Sequence, residues 1–306
     1  MNALKYVLLL LCVLLSACAS FEGPVAVRPG SFFHYSDSDY LNYEVDGQGP
    51  ITLVFLHGFG SSLRNWDDIR PDFDHDAYTM YFLDLKGFGF SSVPTNTSYS
   101  FKANAELVSS FARELQFTNY WLIGHSFGGG VALYADSILS TNGAVPPTGL
   151  VLLDCAAYIS KLPFFIEYLR YPIVSRAGFN ATSPAFKARY TLERVYASRD
   201  TITDKLVQRY AVFITDNKYP VFAGTARDIL PKNIDLITQY YHNITVPALI
   251  IWGENDTVLP ISSGLRLAGE LPGAELHIIP DCGHIPQEEY PDETARLIID
   301  FLNRHK

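Results

Sequence analysis

The chain alternates between compact apolar runs and longer stretches in which apolar residues recur every three or four positions. Ile51–Leu56, Tyr78–Leu83, Tyr120–Ile123, Gly149–Leu153, Ala248–Trp252 and Glu275–Ile279 are the runs. Most lack polar alternation, the pattern of strands buried on both faces, so helices must cover the sheet on each side. Helical spacing fills the intervals: Asn104–Gln116 carries Leu107, Val108, Phe111 and Leu115, and Phe127–Leu139, Ser262–Glu270 and Asp292–Asn303 follow suit. Ser31–Tyr35 and Leu41–Val45, with the turn residues Asp46–Pro50 behind them, predict an antiparallel hairpin at a sheet edge. Ser61–Ile69 predicts a short helix. The alternation predicts an α/β fold with a mostly parallel, doubly covered sheet, whose chemistry gathers at the carboxyl ends of the strands.

One region departs from this rhythm. From Tyr158 to Leu230 prolines recur, tyrosines are frequent and no strand pattern is visible, while Pro184–Ala197 and Asp204–Ile214 read as helices. A helical insertion between the sixth and seventh strands must lie over the strand ends, where it can cover a pocket and exclude water. The predicted organisation is a signal segment at 1–17, a tether at 18–30, a core in two parts at 31–157 and 231–306, and a cap at 158–230.

The N-terminus sets the expected compartment. Lys5, the apolar run Tyr6–Leu15 and the small residues behind it form the three regions of an export signal, with an apolar run too short to span a bilayer. Leu15-Ser16-Ala17-Cys18 resembles the bacterial lipobox, which implies cleavage before Cys18 and lipidation of that cysteine. The expected location is the cell envelope, periplasmic or surface-exposed, with the chain anchored to a bacterial membrane by acyl groups such as palmitate. Cys155 and Cys282 then remain, each behind a different strand, either bonded or buried as thiols. Neither sits in a metal-spaced cluster, so no metal is expected. A net charge of −9 opposes binding to phosphate backbones and argues against a nucleic-acid partner. Gly87-x-Gly89 follows a strand but lacks the third glycine and the immediate helix of a dinucleotide site, so no organic cofactor is expected either.

Candidate chemistry centres on Gly124-His125-Ser126-Phe127-Gly128, between a strand and a helix. In such a turn the serine is held in a strained conformation with its hydroxyl clear of the sheet. A serine hydroxyl needs a base within hydrogen-bond reach and a carboxylate to orient that base. Required chain order excludes the histidines at 34, 57, 75, 125 and 242. His277 lies inside a strand and His305 in the tail, which leaves His284. Asp256, four residues past Trp252, is the first candidate for the acid, with Asp154 as runner-up and Glu254 and Asp281 as weaker alternatives. An acyl-transfer centre also needs backbone N–H groups aimed at the oxyanion. The amides of Phe127 and Phe59 are the candidates, and His57 then has a structural role.

The motifs His57-Gly58-Phe59-Gly60, Asp84-x-x-Gly87-x-Gly89-x-Ser91, Gly124-His125-Ser126-Phe127-Gly128-Gly129, Gly253-x-x-Asp256-x-x-x-Pro260 and Gly283-His284-x-Pro286-x-x-Glu289 together resemble the capped α/β-hydrolase family, in its serine esterase and lipase-like branch. The resemblance implies Ser126 as nucleophile, His284 as base and Asp256 as orienting acid. Ser126 stands where epoxide hydrolases and haloalkane dehalogenases have aspartate, which argues against both. The expected activity is hydrolysis of a small-molecule ester through an acyl-enzyme. Carbon–carbon, amide or lactone hydrolysis or perhydrolysis by the same triad is the alternative, and a non-catalytic binding module the third reading.

Overall fold

The computed structural model describes residues 28–141, 145–158, 162–229 and 238–305. Residues 1–27 lie outside it, and with them the predicted signal segment, Cys18 and most of the tether. Eight strands form one sheet in the order β1-β2-β4-β3-β5-β6-β7-β8. They are β1 (Ser31–His34), β2 (Tyr40–Gly47), β3 (Ile51–Leu56), β4 (Tyr78–Leu83), β5 (Tyr120–His125), β6 (Gly149–Leu153), β7 (Ala248–Gly253) and β8 (Glu275–Ile279). β1 and β2 are the antiparallel edge hairpin, and from β4 to β8 every pairing is parallel.

Side chains two apart along a strand share a face, and each face has its own core. Leu53, Phe55, Ile123 and Val151 pack with Ile298 and Phe301 on one side. Val54, Leu56, Leu122 and Leu152 pack with Phe101, Val108 and Val131 on the other. Helix α1 (Phe101–Glu114) starts earlier than the periodicity predicts because Ser100 caps it, its hydroxyl accepting the Ala103 amide. Helix α2 (Phe127–Thr141) runs directly out of β5. At 61–69 the chain forms a tight 3-10 turn, Leu63–Trp66, instead of an α-helix. The Leu63 amide is taken by the buried Asp84 carboxylate at 2.7 Å and Pro71 follows close behind, so no longer helix propagates.

Between β6 and β7 the cap comprises α3 (Phe164–Glu167), α4 (Pro172–Ala181), α5 (Pro184–Val195), α6 (Asp204–Ala211) and α7 (Tyr219–Asp228). Helices α8 (Ile261–Glu270), α9 (Pro286–Glu289) and α10 (Pro291–Arg304) complete the core. The parallel register puts Leu56 beside Gly124 and Gly253 beside Ile279, so the loops that follow all open on one rim beneath the cap.

Candidate active site

β5 ends at His125, and Ser126 adopts φ of 50°, a left-handed conformation that a non-glycine residue holds only where its surroundings impose it. Those surroundings are crowded. A Cβ on Gly124 would sit 2.5 Å from the Gly128 carbonyl oxygen, and one on Gly128 would sit 2.1 Å from that of Leu56. The Ser126 amide donates to Leu153 O at 2.9 Å, and Ser126 O accepts from Ala156 N and Gly130 N. The turn is thereby tied to the end of β6.

Ser126 Oγ lies 2.9 Å from His284 Nε2, and His284 Nδ1 lies 2.7 Å from Asp256 Oδ2. All three residues are buried. Asp256 Oδ1 accepts from the amides of Val258 (2.7 Å) and Leu259 (3.0 Å), which hold the carboxylate in place. With Nδ1–H donating to Asp256, the Nε2 lone pair faces the serine hydroxyl, the tautomer a base needs. The His284 amide donates to Val195 O of the cap at 2.7 Å. A movement of α5 therefore reaches the histidine directly.

Asp154 lies in the same cluster without touching His284 by a hydrogen bond. Its Oδ1 accepts from Gly253 N at 3.0 Å, while Oδ2 is buried and meets no N–H or O–H donor. Burial, and next the charge of Asp256, push its carboxyl well above the usual carboxylate range. Asp256 accepts three N–H groups and Asp154 only one, although the two carboxyl groups lie within 4.8 Å of each other. Among the described residues Asp154, Asp256 and His284 are the one group whose donor atoms, all within 4.8 Å of one another, could surround a metal ion. An ion there would take the atoms that link His284 to Asp256.

The two other nearby histidines are structural props. His57 Nε2 accepts the Leu85 amide at 3.0 Å and Nδ1–H donates to Gly58 O at 2.7 Å. Burial pushes His57 down to about 4, so it is neutral. His125 Nε2–H donates to His284 O at 2.7 Å, pinning the backbone of the loop that carries His284. That role was invisible in the sequence, where His125 was only excluded as a base. The amides of Phe59 and Phe127 have no acceptor among the described residues, Phe127 because it is the first residue of α2. Glu254 and Asp281 do not reach His284; Glu254 Oε2 accepts the Asp281 amide at 3.4 Å instead. Cys155 and Cys282 are buried free thiols, and burial raises both.

Above Ser126 lies a cavity of about 380 Å³, walled on the cap side by Leu169, Phe179, Leu192, Val195, Ile214 and Phe222. A larger cleft of about 1060 Å³, lined by charges of both signs including Glu44, Arg64 and Arg209, does not include Ser126.

Comparison with known proteins places this geometry. The profile of the alpha/beta hydrolase family matches residues 53–297. An uncharacterised hydrolase of Bacillus subtilis is 28% identical over 273 residues, spanning 86% of this chain and 93% of that protein. The 2-hydroxy-6-oxononadienedioate/2-hydroxy-6-oxononatrienedioate hydrolase of Klebsiella pneumoniae is 28% identical, over 84% of this chain and 89% of its own. Among solved structures, the meta-cleavage product hydrolase of Pseudomonas fluorescens, complexed with acetates, superimposes with a TM-score of 0.77 at 25% identity, covering 91% of this chain and 99% of that one.

Proposed function

Because the chain belongs to the alpha/beta hydrolase family, we propose that it is a serine hydrolase that cleaves a neutral ester with an apolar acyl group. The observation that carries the reading is the unbroken hydrogen-bonded line from Ser126 through His284 to Asp256 beneath a largely apolar cavity. Ser126 Oγ attacks the ester carbonyl as His284 Nε2 takes its proton, and Asp256 stabilises the imidazolium. The oxyanion receives the amides of Phe59 and Phe127, each worth roughly 3–4 kcal/mol in the transition state. His284 returns the proton to the leaving alcohol, and water, activated by the same histidine, releases the acid from Ser126.

Carbon–carbon bond hydrolysis is the second reading, supported by relatives at 25–28% identity named as hydrolases of 2-hydroxy-6-oxo-dienedioates and of meta-cleavage products. The dioate substrates named for the Klebsiella pneumoniae relative bear two carboxylates, which call for cations in the pocket. Lys187 is the one lysine or arginine among the described residues lining the cavity, and its Nζ is held by Phe179 O at 2.6 Å above the Phe179 ring. That favours a neutral substrate. Purified protein is expected to hydrolyse p-nitrophenyl butyrate and to be labelled by a fluorophosphonate. Ser126→Ala should lower turnover roughly a thousandfold or more, and His284→Ala should abolish labelling. Intact turnover in Ser126→Ala would sink the mechanism, and a higher kcat/KM on a 2-hydroxy-6-oxo-dienedioate would replace the ester reading by the second.

The same proposal includes acylation at Cys18 and an envelope location, supported by the lipobox-like Leu15–Cys18 behind an apolar run. Cys18→Ser is expected to abolish incorporation of an alkyne palmitate analogue; unchanged incorporation would refute it.

A further inference from the structure

Five large apolar side chains stand in solvent within 23 residues of the cap. Ile173 is 87% exposed, Phe164 76% and Val174 62%, and Tyr171 and Phe186 are each more than half exposed. Scattered exposed apolar residues are ordinary, but a group at a pocket mouth marks an interaction surface. This group is continuous with the cavity: Phe164 and Phe186 also line it, and Tyr168, another lining residue, donates its hydroxyl to Val174 O at 2.7 Å.

We propose that this rim of α3, α4 and the first turn of α5 docks on an anionic lipid bilayer, so that the Ser126 cavity opens toward the membrane. Charge argues for that occupant. Residues 164–187, which form the rim, carry Arg170, Arg176 and Lys187 against Glu167 alone, in a chain of net charge −9. Arg176 is exposed, leans over the Tyr219 ring and has no carboxylate within ion-pair distance among the described residues. Anionic headgroups attract this rim and repel the rest of the molecule, which orients the approach. A second copy of the chain docked rim to rim would instead oppose two positive surfaces.

The path of the chain argues the same way. Arg28, the first described residue, shares the charged cleft with Tyr196, Lys205 and Arg209 of the cap. Tyr196 follows the last residue of α5, so from that side of the cleft to Phe186 is less than the length of the helix, roughly 18 Å for its twelve residues. Twelve residues separate Leu15, the end of the apolar N-terminal run, from Arg28, and the thirteen steps between them reach roughly 45 Å when extended. The N-terminal run and the rim can therefore meet one surface. Resting on the ester reading above, the docking implies a substrate that partitions into the bilayer and enters past Phe164 and Phe186.

The test uses the full chain with Cys12 and Cys18 changed to serine, carrying Ile173→Cys labelled with the polarity-sensitive dye NBD. Vesicles containing phosphatidylglycerol are expected to raise NBD emission several-fold and shift it blue, with a much smaller effect from pure phosphatidylcholine. Protein that sediments with the vesicles while its dye stays in water overturns the proposal, because the N-terminus alone then makes the contact. Emission that rises with protein concentration without vesicles, together with a dimer in sedimentation velocity, overturns it in favour of self-association. In a second arm, Ile173→Glu/Val174→Glu is expected to keep turnover of a soluble short-chain ester within twofold and to lose at least tenfold on a bilayer-resident ester; equal loss on both would overturn the docking. An absence of ester turnover in every variant would count against the hydrolase reading and leave the dye measurement decisive for the surface.

Discussion

Two carboxyl groups share the floor beneath His284, and their surroundings differ. Asp256 accepts two backbone amides and the imidazole N–H, whereas Asp154 accepts one amide and is pushed upward by burial and by its neighbour. The direction of that shift favours Asp154 as the neutral partner of Asp256, which it would then position. Asp154→Asn preserves both contacts, its Oδ1 for the Gly253 amide and its N–H for Asp256, and is expected to keep kcat within about threefold. Asp154→Ala removes both and is expected to lower kcat by roughly 10- to 100-fold with little change in KM, while displacing the acid limb of the pH profile. The sign of the stability effect is fixed. A folded value raised above the unfolded one contributes stability that is complete below about pH 3.9 and lost as pH rises through the folded value. Asparagine never ionises, so the Asn variant should gain on the native protein between pH 5 and pH 9 in urea melts. An equal difference at both pH values would show that Asp154 does not hold the proton. The sequence offered Asp154 and Asp256 as rivals because one closes a strand and the other lies in the loop just past the next. Which of them meets His284 depends on two loops meeting across the rim, a contact that local pattern does not encode.

At the scale of elements, the serine turn works because strand, turn and helix approach without Cβ atoms in the way. Gly128→Ala would put a methyl group 2.1 Å from the Leu56 carbonyl oxygen, and backbone cannot rotate aside as a side chain can. It is expected to cost about 1–3 kcal/mol in thermal or urea unfolding and to slow fluorophosphonate labelling by separating β3 from α2. Gly269→Ala is the control. It lies in α8 with nothing within 4 Å of the added carbon, and should stabilise by about 0.5–1 kcal/mol. Comparable melting shifts in both would refute the steric account. The strands were legible because runs such as Ile51–Leu56 and Ala248–Trp252 can be buried only in the middle of a covered sheet. Short turns were less so. The 3-10 turn at Leu63–Trp66 owes its form to Asp84, 21 residues away, and no helical period could announce it.

Across the whole molecule, the cap is held down by a cluster centred on one buried carboxylate. Glu288, on α9, accepts from the hydroxyls of Tyr196 at 2.5 Å and Tyr210 at 2.8 Å and from Asn65 Nδ2 at 2.8 Å, and Arg209 stands 3.1 Å away. Its side chain is fully buried, and three of these partners, Tyr196, Tyr210 and Arg209, belong to the cap. The partners are separated from Glu288 by 78 to 223 positions in sequence, so the cap was readable as an insertion while its fastening was not. Removing the carboxylate leaves Arg209 without one of its two acidic partners, since Asp68 remains, and takes the acceptor from the hydroxyls of Tyr196 and Tyr210, the latter keeping the Asn65 N–H at 3.2 Å. Glu288→Ala is therefore expected to destabilise by about 3–5 kcal/mol and to let the cap open. Because the His284 amide hangs from Val195 on the cap, opening should also loosen the base. Limited proteolysis should cut the Tyr196–Thr203 segment several-fold faster, and turnover of a soluble ester should fall with it. Glu288→Gln keeps the shape and one acceptor oxygen, and should recover most of the proteolytic protection. If Glu288→Ala melted earlier yet remained as resistant to proteolysis and as active as the native protein at 25 °C, the cluster would support the core and not the cap.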